Sequence, residues 1–147
     1  MSTKTTLYDQ DFYAWTQEQA TLLRLGAVHE LDLTNLAEEI ESLGRRDQRA
    51  IRHQLTRLLK HLLKWVYQPG HRGVSWRRSI RQVREVIADL IEESPSLRDY
   101  PGEQLPVAYR RARLGAIDET GLPASTFPEH CPWLVEQVLS EDFWPEA

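Results

Sequence analysis

The sequence predicts an all-α protein, a four- to five-helix bundle built around one long helix and a helical hairpin. Three observations predict this class. Apolar residues recur at intervals of three and four from position 33 to position 66, which is the spacing of one helix face. Alternating strand patterns are absent, and β-branched residues are sparse and scattered. Glycine and proline clusters divide the remaining chain into segments of helical length.

The composition limits the class of protein further. The 147 residues suit one domain, which we predict over residues 1–147. No apolar run is long enough to span a membrane, and residues 1–6 lack the apolar stretch of a signal peptide. Cys131 is the single cysteine, so an internal disulfide is excluded. We therefore expect a cytoplasmic protein without a membrane partner.

The first helix is predicted from about Asp9 or Asp11 to Leu25. Thr6 or Asp9 can cap its amino terminus, and Gly26 stands where such a helix ends.

The long helix is predicted over residues 32–67, and Asp32 is its expected cap. Two residues weaken the pattern near its middle. Gly44 is a costly residue inside a helix, and Asp47 falls on the apolar stripe. We therefore expect a kink or a break at this place.

The hairpin follows from the next turn signals. Pro69, Gly70 and Gly73 predict the end of the long helix and a short connection. A third helix is predicted over residues 75–94, with Ser75 as its cap. Because short connections favour antiparallel neighbours, we expect these two helices to pack against each other.

A fourth helix and a docked tail complete the predicted bundle. The helix covers about residues 103–119, and small residues form its apolar stripe: Ala108, Ala112, Gly115 and Ala116. A short helix ending near Leu139 and an aromatic-rich segment ending at Trp144 follow. Since so many aromatic residues favour burial, we expect the tail to dock on the bundle.

Charge is strongly segregated along the chain. Residues 45–84 contain twelve Lys or Arg and one acid, for a net charge of +11. Residues 1–44 carry −6 and residues 85–147 carry −9, which leaves the total of −4. Segregated charge either binds an external partner or is neutralised within the protein. The sequence leaves both interpretations open.

The basic residues fall on predicted helix faces. On the long helix they are spaced 3, 4, 4, 3 and 4 and form one stripe; further arginines make a second stripe on the next helix. The candidate basic face consists of Arg46, Arg49, His53, Arg57, Lys60, Lys64, Arg77, Arg81 and Arg84. Such a face predicts nucleic-acid or polyanion binding by the basic hairpin 45–84. The acidic flanks and the pI of about 5.7 favour internal pairing instead.

Other candidate chemistry is weaker. His61 and Trp65 lie one turn apart and, with Trp76, are candidates for a pocket with acid–base function; the alternative is a structural role. Glu38 and Glu41 lack the Glu-x-x-His spacing of a carboxylate metal site, so we expect no metal and no cofactor. A cysteine near a helix amino terminus, as at Cys131, can be reactive, but free cysteines are commonly buried and inert. We therefore predict no catalytic residue.

Several segments resemble the domain of unknown function 29 family, whose members are small bacterial proteins. They cover nearly the whole chain in order: residues 7–15, 35–44, 61–65, 75–76, 94–97, 119–122 and 127–133. Trp133 departs from the tyrosine expected of the family. The resemblance implies an all-helical single domain in a bacterial cytoplasm. It implies no activity, so no functional residue carries over from it.

These observations predict a non-enzymatic, cytosolic protein-interaction module whose partner is another protein. Nucleic-acid or polyanion binding is the alternative, and a small metal-dependent or acid–base enzyme is the third hypothesis. Association of the chain with itself stays open.

Overall fold

The computed structural model describes residues 6–146, and every regular element in this range is helical. The described residues form six α-helices: α1 (Leu7–Gln10), α2 (Phe12–Leu25), α3 (Leu33–Tyr67), α4 (Val74–Glu93), α5 (Tyr100–Thr120) and α6 (Val135–Leu139). Short 3-10 helices lie in several of the connections. The predicted all-α class is confirmed.

The chain divides into two compact units, residues 1–45 and 46–147. The first contains α1, α2 and the beginning of α3, and the second contains the rest of α3 and all later helices. The single domain over residues 1–147 stays a prediction.

In the first unit, Asp11 divides the predicted first helix into α1 and α2. Its backbone has φ −150° and ψ 88°, outside the helical range. Its carboxylate accepts a hydrogen bond from the Ala14 amide at 3.0 Å and thereby caps α2. At the other end, Gly26 has a φ of 69° and terminates α2 in the left-handed conformation. The predicted end is therefore right, whereas the predicted start combined two helices.

Two buried residues of α2 secure the start of α3 within the first unit. The indole nitrogen of Trp15 donates to the Asp32 carboxylate at 3.0 Å, and the Gln19 side chain accepts from the Asp32 amide at 2.8 Å. The carboxylate in turn accepts from the backbone amide of Asn35 at 3.3 Å and from its side chain at 2.8 Å. Asp32 is therefore the predicted cap, and the hydrogen bonds from Asn35 and Trp15 lower the pKa of its carboxyl.

Helix α3 is continuous over 35 residues and passes through Gly44 and Asp47. The predicted break at this place is therefore wrong. A helical glycine costs about 1 kcal/mol relative to alanine, which is too little to interrupt a helix with hydrogen bonds on both sides. Gly44 and Asp47 are both exposed. Neither residue therefore has to be accommodated in a packed core.

The second unit has the principal core, made by α3, α4 and α5. From α3 it receives a set of fully or almost fully buried side chains: Leu55, Leu58, Leu59, Leu62, Leu63 and Trp65. Ile80, Val83 and Ile87 come from α4, and the predicted small residues Ala108, Ala112 and Ala116 come from α5. Because alanine side chains are short, α5 approaches α3 closely. A Cβ atom on Gly115 would lie only 3.0 Å from the Cδ atom of Lys60.

The boundaries of α4 and α5 differ by a few residues from those predicted. Helix α4 begins at Val74 after Gly73, without a side-chain cap from Ser75. Helix α5 begins at Tyr100 because Pro101 occupies its first turn, where proline is accommodated without loss of a hydrogen bond. It continues past Pro106 to Thr120.

The carboxy-terminal tail docks on the core of the second unit, as predicted. Phe127 and Val138 are buried. The ring of Trp144 lies 4.9 Å from that of Trp65, measured between centroids, and Phe127 contacts Tyr67 edge-on at 5.2 Å. The aromatic residues therefore hold the tail through specific ring contacts.

Candidate functional site

The amino-terminal part of the predicted basic stripe is exposed. Arg46, Arg49, His53 and Arg57 lie on the solvent side of α3. The fully buried Leu55 and Leu58 lie on its other side. Within this stretch the helical spacing therefore placed the basic residues on one accessible surface.

The next turn of the stripe is engaged by an acid. Lys60 and Lys64 donate to the two carboxylate oxygens of Glu119 on α5, at 2.8 Å and 3.1 Å. The hydrogen bonds from Lys60 and then Lys64 lower the pKa of the Glu119 carboxyl. One carboxylate thus bridges two ammonium groups, and these lysines belong to the α3–α5 contact.

Arg84 lies in the interior, which corrects its predicted place on the basic face. Only 3% of the residue is exposed. Its guanidinium donates from Nε to the Val138 carbonyl at 2.9 Å and from Nη2 to the Phe143 carbonyl at 2.7 Å. It lies over the Trp144 ring at 5.5 Å, and burial lowers the pKa of Arg84 to about 10. The side chain remains charged at neutral pH and anchors the tail.

Arg77, Arg78 and Arg81 are exposed on α4. They line an open groove of about 660 Å³ together with Val74, Gln82 and Glu85. The Arg77 guanidinium also lies 5.8 Å from the centre of the Trp65 ring. The groove is therefore rich in hydrogen-bond donors that suit an anion.

Most Lys and Arg of residues 45–84 have no acidic partner among residues 6–146. The ion pairs formed within residues 6–146 involve three of the twelve Lys and Arg of residues 45–84, namely Arg45, Lys60 and Lys64. Arg72 and Arg84 bond to backbone carbonyls. The remaining arginines form no ion pair with the described part of the chain: Arg46, Arg49, Arg52, Arg57, Arg77, Arg78 and Arg81. Internal neutralisation therefore covers a minority of these bases.

The three residues predicted to form a pocket, His61, Trp65 and Trp76, are at least partly buried. His61 is half-buried, and desolvation, followed by the charge of Lys64, lowers its pKa to about 4. Its buried Nδ1 atom has no hydrogen-bond partner among the described residues. Trp65 is 6% exposed and packs on the tail. Trp76 stacks on His71 with centroids 6.1 Å apart and lies under the Lys64 ammonium group. His61 is therefore a neutral imidazole at pH 7.

Cys131 lines a cleft of about 810 Å³ between α5 and residues 129–131. Its half-buried thiol lies 3.5 Å from the Trp133 carbonyl, and burial raises the pKa of the thiol. A raised pKa favours the inert thiol over the reactive thiolate. Within residues 6–146, no group of three or more His, Cys, Asp or Glu is placed to hold a metal ion.

The wall of this cleft contains two anchors that sequence analysis missed. The Tyr109 hydroxyl donates to the Pro128 carbonyl at 2.6 Å. The Arg113 guanidinium donates to the carbonyls of Ala124 and Phe127 at 2.8 Å and 3.3 Å. Because their partners are backbone carbonyls of the tail, no pattern of side chains in the sequence identifies them.

The first unit exposes an unusual amount of apolar surface. Nine of the twelve exposed large apolar side chains fall within residues 7–43: Leu7, Phe12, Tyr13, Leu23, Leu25, Val28, Leu33, Ile40 and Leu43. The last three of them lie on one side of α3, and we name these three the amino-terminal apolar face. Trp15 is the buried apolar residue of the same stretch. The amino-terminal apolar face is therefore largely without a partner among residues 6–146.

These features define an all-helical class of protein, with a packed core and an accessible basic helix face in the second unit and exposed apolar side chains in the first. The chain belongs to the family described as Domain of unknown function DUF29, whose model matches residues 7–144. The predicted resemblance is thereby confirmed, and the family description names no activity. No curated protein and no solved structure matches the chain. None of the helices in residues 6–146 is both long and apolar enough to cross a membrane.

Proposed function

We propose that the protein is a non-enzymatic protein-interaction module of the bacterial cytoplasm. The observation that carries the proposal is the amino-terminal apolar face. Leu33, Ile40 and Leu43 share one side of α3 and are exposed by 63%, 67% and 57%. Monomeric proteins rarely expose large contiguous apolar patches, and such patches typically mark interaction surfaces. Contact with another protein would remove this surface from water. Each Å² of apolar surface buried in this way would stabilise the complex by about 25 cal/mol.

Site-specific photo-crosslinking in the native host tests this function. With a photoreactive amino acid in place of Ile40, we expect a protein adduct that is lost when Leu43→Glu is added. The charge in the neighbouring turn would oppose docking of an apolar surface. The matched control has the same amino acid at Leu114, an exposed residue of α5. Equal adducts at both positions, or none at position 40, would contradict the proposal.

Polyanion binding by the basic hairpin is the second candidate function. It is favoured by the seven arginines of residues 46–81 that form no ion pair with the described chain. Arginine binds phosphate through two parallel hydrogen bonds, and the exposed stripe on α3 offers several such groups in a row. This function does not require the amino-terminal apolar face.

Fluorescence anisotropy of labelled single- and double-stranded DNA and RNA tests the second candidate. We expect tight binding that weakens steeply with salt, because each neutralised phosphate releases counterions. Arg49→Glu/Arg57→Glu should abolish it, whereas Arg98→Glu/Arg110→Glu, with the same change in charge at exposed positions elsewhere, should retain it. An absence of binding at low salt would exclude this candidate.

A further inference from the structure

We infer that the cleft between α5 and residues 129–131 binds a small organic carboxylate with an apolar body, such as an aryl or medium-chain aliphatic acid. The cleft shares no residue with the amino-terminal apolar face or with the basic stripe on α3, so this function is independent of the two proposed functions. Three features support it: the size of the cleft, the side of α5 that lines it, and the charge of the lining residues.

The size of the cleft suits a small molecule. Its volume is about 810 Å³, and pockets that bind small molecules typically measure about 300–1,000 Å³. The Tyr109 hydroxyl on α5 donates to the Pro128 carbonyl at 2.6 Å, directly before the residues that form the opposite wall. Because this hydrogen bond joins the two walls, a ligand would enter a site that is already formed in the folded chain.

One side of α5 supplies most of the lining. Six of its residues recur at the intervals of a single helix face, and all six line the cleft: Leu105, Pro106, Tyr109, Arg110, Arg113 and Leu114. The apolar members of this set would contact the apolar body of a ligand, and each Å² removed from water would contribute about 25 cal/mol. The two arginines place positive charge beside this apolar surface.

The arginines favour a carboxylate as the polar group of the ligand. Arg110 is exposed and forms no ion pair within residues 6–146. Arg113 donates to the carbonyls of Ala124 and Phe127, and a guanidinium has further N–H donors beyond those two. Residues three positions apart are neighbours on a helix surface, and a guanidinium binds a carboxylate through two parallel hydrogen bonds. The pair therefore offers the donors that one carboxylate requires.

The other polar residues leave the cleft positively charged. Glu129 is the acid among the lining residues, and it forms no ion pair with Arg110 or Arg113. Two arginines and one glutamate give a net charge of +1, and His130 adds no negative charge in either protonation state. A cleft of this charge attracts anions.

Protection of Cys131 from alkylation tests the inference on the full chain. Cys131 lines the cleft and is the single cysteine, so its reaction with iodoacetamide, measured by intact mass, reports whether the cleft is occupied. The probes are phenylbutyrate and octanoate at up to about 10 mM, which suffices for a Kd of about 1 mM. We expect each to slow the reaction about tenfold at the highest concentration. The alkylation rate of glutathione, measured with the same probes, should not change.

The charge of the ligand and of Arg110 is tested by matched pairs. Neutral phenylbutyramide should need about a tenfold higher concentration than phenylbutyrate for the same protection, because hydrogen bonds between charged groups are stronger. Arg110→Gln should weaken protection by phenylbutyrate about tenfold and leave that by the amide unchanged. Arg111→Gln removes the same charge from an exposed position of α5 outside the cleft and should match wild type.

Three results would overturn the inference. The first is an alkylation rate that neither carboxylate slows at about 10 mM, a concentration that would detect even weak binding. The second is equal protection by the acid and its amide in the wild-type chain, a comparison that needs no variant. The third is equal protection by phenylbutyrate in wild type and in folded Arg110→Gln.

Discussion

Replacement of Arg84 by methionine is expected to destabilise the protein by about 3 kcal/mol, since hydrogen bonds to a charged group contribute about 1.5–3 kcal/mol each. Arg84 makes two of them, to the carbonyls of Val138 and Phe143. Methionine retains most of the apolar stem but leaves both carbonyls without this donor. The cost of keeping a guanidinium buried, evident in its lowered pKa, offsets part of the loss.

Urea unfolding at pH 7, followed by circular dichroism, measures this change. Arg84→Lys should fall between wild type and Arg84→Met, because one ammonium group does not reproduce the fork of the guanidinium. Arg81→Met removes a charge from the exposed face of the same helix and should change stability by less than about 0.5 kcal/mol. Limited proteolysis should cleave the tail of Arg84→Met first. An unchanged midpoint in Arg84→Met would mean that Arg84 does not hold the tail.

The helices could be predicted because their apolar spacing is a local property of the sequence. The long stripe of α3, the cap at Asp32 and the end at Gly26 were each defined by neighbours within a few residues. The cap of α2 at Asp11 was not predicted. The Asp11 amide donates to the Leu7 carbonyl and closes α1, and a helix as short as α1 gives too weak a periodic signal to detect. At Gly44, the prediction gave too much weight to the local free-energy cost of a helical glycine. It gave too little weight to the cooperativity that holds a long helix together.

The surroundings of Arg84 could not be predicted from the same local information. It follows Arg77 and Arg81 at helical spacing, so the sequence placed all three on one exposed stripe. The spacing also puts Arg84 between Ile80 and Ile87, which are both buried. Whether such a residue faces solvent or core is decided by the tail, whose carbonyls come from positions more than fifty residues away.

The candidate surfaces show the same division between local and distant information. Charge counting identified the basic segment, but it could not show that Glu119 alone meets both Lys60 and Lys64. Likewise, Leu33 and Ile40 share the apolar spacing of Leu58. The structure, not the pattern, shows that the first two are exposed and the third is fully buried. A functional surface and a core can therefore have the same sequence pattern on one helix.

This distinction makes Leu58→Ala the test of the core. Leu58 has no exposed surface and belongs to the cluster formed by α3, α4 and α5. Its truncation removes buried methyl groups and leaves a cavity that packed neighbours fill only in part, so we expect a loss of about 2–5 kcal/mol in the free energy of unfolding. Urea melts of the full chain measure it.

Leu134→Ala is the matched control, since Leu134 is 67% exposed and the same truncation there should cost less than about 0.5 kcal/mol. Ile40→Ala provides the decisive comparison on α3 itself. If residues 33–43 serve a partner, this change should cost little in the isolated chain, because the side chain is already in water. A Leu58→Ala loss below about 0.5 kcal/mol would place the core elsewhere. A large loss for Ile40→Ala would place Ile40 in a core, and the amino-terminal apolar face would then hold the fold together instead of binding a partner.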